Sequence, residues 1–389
     1  MNRFLTRVKR VLKRYINKGK SVITYPSDRY AYLKKTVKKF TPKDGNYAIV
    51  NLDRQLRFDD QCRYLYMIGM YLESSGFKVI IKTTVEDYTG IRKYRFQKFI
   101  WKENYIFVRK SSTPKNTITL VQPNSPDRVI HLSYGFSLLR DGQFDCMAPY
   151  PMYPSQLKYH SDPSFRSELQ NSTRRIKVLF SGKTTNDLYA SERVKKFFNV
   201  HSRLEVVDFI LTHFRHCARS LKNEADRLIL KQLLESDDYS NDITISEIKS
   251  DEEDWLKILS KTDFFICPPG ATMPWCHNCV EAISVGAIPI LEYADLFQPA
   301  LQHMNNCLTF KNSDELASAI NTALAMGAEE IEELRKNVLD YYNNYLSIES
   351  IQNRIHTFAK SSIEEVKVAI PFVPTYKERA SIPVRVKLR

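Results

Sequence analysis

Short apolar runs and longer stretches of helical periodicity alternate along most of this chain. After Gly45 the run YAIVNLD predicts a buried strand, because it is short, continuous and ends on polar residues. The segment QCRYLYMIGMYLESSG has apolar residues at helical spacing and stops at Gly76, and FKVIIKT then predicts a second strand. This order predicts a βαβ unit with parallel strands.

The middle of the chain is less regular. Between Tyr94 and Asp145 the runs YIFV, TITLV and VIHLSYG predict short strands that complete a small sheet. From 147 to 175 there are four prolines and no sustained periodicity, which predicts a linker.

From Ile176 onward, strand and helix patterns alternate again. The runs that predict strands are IKVLFSGK, ITISEI, DFFICPP, AIPILEY and NCLTF. The segments that predict helices are 190–198, 223–235, DEEDWLKILSKT, CHNCVEAISVG, 296–304, SDELASAINTALAM and 350–369. This alternation predicts a doubly wound parallel sheet, which binds its ligand beyond the carboxyl ends of the strands.

The length of the chain predicts two domains. A single hydrophobic core stops growing at about 250 to 300 residues, and this chain has 389. We predict a basic helix over 1–20, an N-terminal α/β domain over 21–165 and a C-terminal α/β domain over 172–345. A last helix and a basic tail occupy 346–389.

The formal net charge of +14 is concentrated at the two ends of the chain. Residues 1–20 hold eight basic side chains and no acid, and residues 377–389 hold five basic side chains against Glu378. The rest of the chain carries a net charge of only +2. No broad basic face is therefore predicted, and a nucleic-acid partner is not expected.

The apolar residues of the first segment recur at three- and four-residue steps and gather on one stripe of a helix. They are Phe4, Leu5, Val8, Val11, Leu12, Tyr15 and Ile16. Such a helix can lie in the headgroup region of an anionic membrane, where each basic residue contributes about 1 kcal/mol. The alternative is a solvated basic helix that packs on the protein itself.

The cysteines and the hydropathy pattern predict a cytoplasmic location. Seven cysteines at irregular spacing and a charged N-terminus argue against a secreted disulfide protein. No segment has the run of about 20 apolar residues that a membrane-spanning helix needs. Any membrane contact is therefore expected to be peripheral, on the inner face.

The densest candidate site lies in CPPGATMPWCHNCVEAISVGAIPILEY. A buried strand ends at Pro269 and Gly270, and the next helix begins near His277 and Asn278. The free N–H groups and positive dipole of a helix start favour an anion, and a diphosphate fits this role. The alternative is an ordinary strand–loop–helix junction with packing residues only.

Two further residues of this segment have expected roles. His277 can add a charge or a hydrogen-bond donor to the anion site. Glu281, one helical turn later, can accept hydrogen bonds from both hydroxyls of a ribose. Gly286 then lets the helix end tightly before the next strand.

The segment DFFICPPGATMPWCHNCVEAISVGAIPILEYADLFQPAL resembles the nucleotide-sugar half of exostosin-like glycosyltransferases, which have the GT-B architecture. The residues that carry the resemblance are Pro269, Gly270, Glu281, Ala282, Gly286, Ile288, Pro289 and Pro299. The family usually has Ser-x-Arg before the glutamate, where this chain has Trp275, Cys276 and His277. The departure leaves open which cation neutralises the phosphates.

The resemblance implies an α/β fold with two Rossmann-like doubly wound domains facing a cleft. In this reading 21–165 binds the acceptor, 172–345 binds the nucleotide sugar, and the helix within 346–389 crosses back to the first domain. The implied activity is transfer of a sugar from a nucleotide-sugar donor, most commonly a UDP-sugar, to a hydroxyl of a glycan or glycolipid. A role in cell-surface polysaccharide synthesis, without a cofactor or metal, is expected.

The resemblance also implies a basic residue near the donor phosphates, in the loop after the strand that begins at Ile176. Ser181, Gly182 and Lys183 occupy that loop, and Arg193 follows. The alternative is that Lys183 and Arg193 are solvated residues at a helix start.

An inverting transferase needs a side chain that removes the proton from the acceptor hydroxyl. Asp59 and Asp60 follow the first strand and qualify by position, as do Asp141, Asp145 and His131. The sequence does not choose among them, and a retaining reaction does not need this base.

A metal site and three rival functions are also weighed. Cys276, His277 and Cys279 have metal-like spacing, but a structural zinc site needs four ligands and no second pair follows. The rival functions are a sugar-nucleotide epimerase or hydrolase, and a non-catalytic membrane-associated scaffold with a decayed nucleotide site. An RNA-binding protein is a third rival, suggested by the basic ends.

Overall fold

The computed structural model describes residues 30, 32–34, 36–37, 40–42, 44–53, 62–84, 88, 100, 105–109, 116–135, 144–184, 189–190, 192–271 and 273–372. Contacts divide the chain into two compact units, Met1–Val129 (unit 1) and Ile130–Arg389 (unit 2). The predicted membrane helix over 1–20 and the candidate bases Asp59, Asp60 and Asp141 lie outside the described residues.

The described residues of unit 1 form a small mixed sheet and one long helix. Its elements are β1 (Thr36–Val37), β2 (Tyr47–Asn51), α1 (Arg63–Ser74), β3 (Lys78–Thr83), β4 (Ile106–Arg109) and β5 (Thr117–Val121). The strand order is β1-β4-β3-β2-β5, with β5 antiparallel to β2 and the other pairs parallel. The predicted βαβ unit is confirmed, and Gly76 after α1 has the left-handed φ of 77° that lets the chain turn back.

The chain crosses into unit 2 within β6 (Arg128–Tyr134). The elements before the main sheet are β7 (Cys146–Met147), α2 (Pro154–His160) and α3 (Pro163–Gln170). The main sheet and its helices comprise β8 (Ile176–Ser181), α4 (Glu192–Phe198), α5 (Arg203–His213), β9 (Ala218–Leu221), α6 (Asp226–Glu235), β10 (Ser240–Ser246), α7 (Trp255–Ser260), β11 (Thr262–Ile266), α8 (His277–Ser284), β12 (Ile288–Leu291) and β13 (Leu308–Thr309). The last elements are α9 (Ser313–Ala325), α10 (Ala328–Tyr341), α11 (Ile348–Lys360) and β14 (Glu365–Ile370).

The main sheet of unit 2 has six strands in the order β13-β12-β11-β8-β10-β9, and every pair is parallel. The chain builds the β10 and β9 side after β8 and then returns to build the β11 to β13 side. The order therefore reverses between β8 and β11, and their carboxyl ends form the switch point where such sheets bind ligands. The predicted doubly wound parallel sheet is confirmed for this unit.

The predicted linker over 147–175 is wrong, because this segment forms α2 and α3 and packs within unit 2. Each helix begins with a proline at its first position, which suits a helix start but hides helical periodicity in the sequence. His160 at the end of α2 is fully buried, and Arg166 of α3 forms a bidentate ion pair with Glu349 at 2.7 and 2.8 Å.

Two other predictions of secondary structure are wrong, and one strand was missed. The predicted helix over 296–304 does not form, because a single 3-10 turn, Ala294–Leu296, ends where it should begin. The predicted last helix over 350–369 ends at Lys360, and its remainder is strand β14, which pairs in parallel with β7. Strand β9 was not predicted, because ARSL is too short and polar to stand out. Among the described residues, no helix is long and apolar enough to cross a membrane.

Candidate functional site

The structure brings most of the predicted site residues of unit 2 together at the switch point. Ser181 ends β8, and Gly182 and Lys183 form the loop that follows. The side-chain amide of Asn278, in the first turn of α8, donates to the Ser181 carbonyl at 3.1 Å. The start of α8 is therefore fastened to the end of β8, as an anion site at this crevice requires.

The loop between β11 and α8 makes a tight turn at Gly270. A Cβ at this position would lie 2.9 Å from the Met273 carbonyl oxygen and 3.0 Å from that of Trp275. The Gly270 N–H donates to the Pro274 carbonyl at 3.3 Å. Only glycine fits where the backbone folds back so closely, so Gly270 shapes the loop that leads into α8.

Arg203 contacts three parts of this crevice and is not among the residues that the sequence predicts. Its Nε donates to the Pro269 carbonyl at 3.3 Å and its Nη1 to the Lys183 carbonyl at 3.4 Å. Its Nη2 lies 3.6 Å from the Cys276 sulfur. One guanidinium thus joins the loops after β8 and β11 to the residue before α8.

The charge of Arg203 is buried without a described counter-ion. The residue is 5% exposed, and among the described side chains no carboxylate forms an ion pair with it. Its guanidinium lies 4.1 Å from the ring centroid of Tyr189, a cation–π contact that shields one face. A buried cation that contacts only carbonyls, a thiol and a ring favours the approach of an anion.

The local sequence explains why Arg203 reaches this place. Ser202 caps α5: its hydroxyl accepts from the Glu205 N–H at 3.3 Å, and Glu205 Oε2 accepts from the Ser202 N–H at 2.7 Å. This capping box puts Arg203 at the first position of the helix. The Ser-x-x-Glu spacing was the signal available in the sequence, although it locates only the helix start and not what the arginine contacts.

A buried carboxylate, Glu292, contacts the half-buried His201, two residues before Arg203. Glu292 follows β12, is 1% exposed and accepts from the backbone N–H of His201 at 2.7 Å. His201 Nδ1 lies 3.1 Å from both carboxylate oxygens of Glu292. Burial raises the pKa of Glu292, while the contacts with His201 act in the opposite direction.

Glu281 is placed differently from the ribose ligand that the sequence predicts. It is 0% exposed, and its Oε1 accepts from the Tyr153 N–H at 2.7 Å. Its Oε2 accepts from the indole Nε1 of Trp255 at 2.6 Å. As the structure stands, the carboxylate joins α2 and α7 to α8, and because the side chain is fully buried a ribose contact requires the groups packed around it to move.

The other predicted cations differ in what they contact. Lys183 is exposed, and its backbone carbonyl is held by Arg203. Arg193 lies in α4. His277 opens α8 with a half-buried side chain, and its ring centroid lies 6.0 Å from that of Tyr153.

The two described alternatives for the catalytic base both contact β14. Asp145 accepts from the Lys367 N–H at 2.7 Å, and its own N–H donates to the Lys367 carbonyl at 2.8 Å. His131 Nε2 lies 3.0 Å from Glu365 Oε2. These contacts hold β14 in place, which is a structural use of both side chains.

The cysteines near α8 form a buried thiol cluster. Burial raises the pKa of the Cys267 thiol well above its ordinary range, and the hydrogen bond with Cys279 adds to this effect. A protonated thiol is a poor metal ligand. In the part of the chain that the structure describes, no group of three or more His, Cys, Asp or Glu side chains is arranged to hold a metal ion.

The similarity of this chain to known proteins is found among solved structures. The sequence matches no protein-family model and has no significant match among curated proteins. Among solved structures, a glycosyltransferase from Rickettsia africae is 12% identical with a TM-score of 0.35, over 76% of this chain and 79% of that one.

Two further solved structures are similar at the same level. HepE of Anabaena, in complex with UDP and glucose, is 13% identical with a TM-score of 0.30, over 80% of this chain and 71% of that one. An Escherichia coli trehalose-6-phosphate protein bound with UDP-2-fluoro glucose is 13% identical with a TM-score of 0.31, over 77% and 72% of the chains. At these TM-scores the similarity establishes neither a shared fold nor a shared function.

Proposed function

We propose that this chain is a glycosyltransferase of the GT-B type, which binds the diphosphate of a nucleotide sugar at the switch point of unit 2. The observation that carries the proposal is the guanidinium of Arg203. It is 5% exposed, has no described carboxylate partner and joins the loops after β8 and β11 beside the start of α8. A diphosphate supplies negative charge that none of the described carboxylates provides at this guanidinium.

Arg203 also supplies the cation for the donor phosphates that the sequence pattern before Glu281 lacks. The resemblance to exostosin-like enzymes lacks the usual arginine before Glu281, so the cation for the donor phosphates was missing. Arg203 brings a guanidinium to the same helix start from a different element, α5. Its planar fork suits bidentate binding of phosphate oxygens better than the single ammonium of Lys183.

The proposed chemistry follows from the position of these donors. The acceptor hydroxyl oxygen attacks the anomeric carbon, the bond from that carbon to the diphosphate breaks, and the nucleoside diphosphate leaves with the electron pair. Arg203, Lys183 and the first N–H groups of α8 stabilise the charge that develops on the leaving group. Cations and a helix dipole take the part that a metal plays in other transferases.

The finer features remain part of the proposal. UDP-sugars are the expected donors, and the acceptor is a glycan or glycolipid of the cell surface. The proton of the acceptor hydroxyl goes to Asp59, Asp60 or Asp141 if the reaction inverts configuration. Residues 1–20 are proposed to dock the enzyme on the inner face of an anionic membrane.

The first test is binding of nucleotides to the full-length chain. UDP, GDP and CMP are compared by thermal shift, because a ligand that binds only the native state raises its apparent stability. We expect UDP to raise the melting temperature, and Arg203→Met to weaken UDP binding about tenfold or more through loss of a charged hydrogen-bonding partner. Arg227→Met, an arginine on exposed α6, is the matched control and should bind UDP normally.

The second test separates the rival functions. Incubation of a UDP-sugar with and without an acceptor oligosaccharide shows whether the sugar is transferred, released to water or isomerised. Release or isomerisation alone would favour a hydrolase or epimerase. Absence of any nucleotide-induced shift contradicts the enzyme proposal and favours a scaffold, while salt-sensitive RNA binding that survives removal of 1–20 would favour an RNA-binding protein.

A further inference from the structure

We infer that Glu292 is a positioning residue for the donor site, which acts by fixing the start of α5 and so the guanidinium of Arg203. The inference rests on the proposed function, because it assigns Arg203 to the diphosphate. Glu292 directly follows β12. This strand pairs with β11, and Arg203 contacts the loop after β11.

The first step is the pair of hydrogen bonds between Glu292 and His201. The carboxylate accepts from the His201 backbone N–H at 2.7 Å, and with its proton on Nδ1 the imidazole donates to the same carboxylate at 3.1 Å. The backbone and the side chain of one residue are thus held by one carboxylate. Rotation of the chain at this point is therefore restricted on two sides.

The second step is the short path from His201 to Arg203. Ser202 alone separates them, and its capping box with Glu205 fixes the backbone where α5 begins. No flexible residue intervenes, so a shift of His201 is passed to Arg203. The three contacts of the guanidinium span 3.3 to 3.6 Å, and a small displacement of the helix start would break them.

The third step is the free-energy cost of burying the Glu292 carboxylate. Burial raises the pKa of this carboxylate, so its charged form is disfavoured in the folded chain. Two neighbours act in the opposite direction: His201 at the carboxylate, and Lys311, whose Nζ donates at 2.9 Å to the Glu292 backbone carbonyl. Burying this carboxylate therefore carries a desolvation cost, which its hydrogen bonds with His201 offset in part.

The test is a double-mutant cycle on UDP binding by the full-length chain. Glu292→Leu should weaken UDP binding about tenfold through loss of a charged hydrogen-bond acceptor. In the Arg203→Lys background, where the fork is already lost, the same substitution should weaken binding by less than about threefold, since residues that act through one another are not additive.

Two conservative variants at Glu292 complete the test. One should preserve UDP binding, and the other replaces the leucine variant if that variant does not fold. Glu292→Gln should stay within about threefold of the wild type, because its carboxamide still accepts from the His201 N–H and can donate to the ring. Glu292→Asp is one methylene shorter and should behave like Glu292→Leu, which keeps the test available if the leucine variant does not fold. Asp295→Asn, an exposed acid on the same loop, is the control and should bind UDP normally.

The outcomes distinguish this inference from the function on which it rests. If the wild type does not bind UDP, the proposed function fails. If UDP binds and Arg203→Lys weakens it, but Glu292→Leu has no effect or weakens it by the same factor in both backgrounds, the positioning role alone is overturned.

Discussion

The indole Nε1 of Trp255 donates a hydrogen bond of 2.6 Å to Oε2 of the fully buried Glu281. The contact ties α7 to α8 beside the proposed donor site. It also engages one of the two carboxylate oxygens that are expected to accept from the ribose hydroxyls. The pair therefore offers a direct test of both the structural and the functional role of this carboxylate.

Trp255→Phe is expected to lower the free energy of unfolding by about 2 kcal/mol, because a buried carboxylate loses one of its donors. Trp275→Phe is the matched control. It removes a 3.2 Å hydrogen bond from an indole to the neutral Leu296 carbonyl, and should cost about 1 kcal/mol. Urea unfolding of both variants measures the difference, and equal losses would contradict the stronger role of the bond to Glu281.

The same Trp255→Phe variant tests the ribose role of Glu281. If ribose binds by displacing the indole from Oε2, the variant no longer has to break that bond. We then expect its UDP affinity to rise by about threefold to tenfold, relative to Trp275→Phe, for a hydrogen bond of ordinary strength. Unchanged affinity would show that ribose does not displace the indole from Oε2 of Glu281.

The buried His160 makes the stability of the chain sensitive to acid. Its Nε2 lies 3.2 Å from the Ser284 carbonyl and its Nδ1 lies 3.2 Å from the Tyr342 hydroxyl, so the neutral ring donates to one and accepts from the other. Burial, with a smaller contribution from nearby Arg166, lowers the pKa of His160 from 6.5 to about 4. The folded chain must therefore lose stability as the pH falls from 6.5 toward 4, because the unfolded chain binds the proton first.

We expect a loss of about 2 kcal/mol from this group between pH 7 and pH 5. His160→Gln should have a lower stability at pH 7 and a smaller decrease over this range, as measured by urea unfolding at each pH. The exposed His303 provides the control variant His303→Gln, which should keep the wild-type pH dependence. An unchanged slope in His160→Gln would show that other groups cause the acid sensitivity.

Gly76 and Gly286 form a natural matched pair, because both have a φ of 77° but different surroundings. A Cβ on Gly76 would meet nothing within 4 Å, whereas a Cβ on Gly286 would lie 3.1 Å from Arg335 Cγ and 3.2 Å from Arg174 Nη2. Gly76→Ala should therefore cost about 1 kcal/mol of backbone strain. Gly286→Ala should cost a further 1 to 2 kcal/mol, roughly, because the crowded arginines must move.

Hydrogen exchange of the peptides that cover each turn measures these local free energies within the intact chain. Equal losses of free energy at the two glycines would mean that Arg174 and Arg335 move aside at no energetic cost. Arg174 makes that outcome unexpected, since its guanidinium donates to the Thr262 carbonyl at 3.3 Å and to the Val285 carbonyl at 2.9 Å.

Removal of residues 1–20 is expected to lower binding to vesicles that contain anionic lipid and to leave transferase activity on a soluble acceptor intact. The eight basic residues supply the electrostatic part, so binding by the full chain should weaken with salt. Replacement of Leu5, Val8 and Leu12 by serine keeps this charge and removes the apolar stripe, and should also lower binding. Vesicle sedimentation measures both, and unchanged binding after truncation would refute membrane docking by this segment.

A strand could be predicted from the sequence where its own residues determine it, and not where a distant partner strand does. β8, β11 and β12 are short, wholly buried runs, so their apolar residues alone identified them. β14 is different, because the first part of EVKVAI is exposed and only its end is buried. Its pairing with β7, more than two hundred residues earlier in the chain, decides that it is a strand, and no local periodicity reports that partner.

The sequence by itself determined the α/β class, the parallel sheet of unit 2 and the edge at which a ligand should bind, because burial periodicity and helix starts are set by near neighbours. The tertiary structure alone decided which cation faces that edge and how Glu281 is engaged. Arg203 and the Pro269 carbonyl are 66 residues apart, and Tyr153 and Glu281 are 128 apart. Contacts at such separations depend on how whole elements pack, so the spacing of residues along the chain does not contain them.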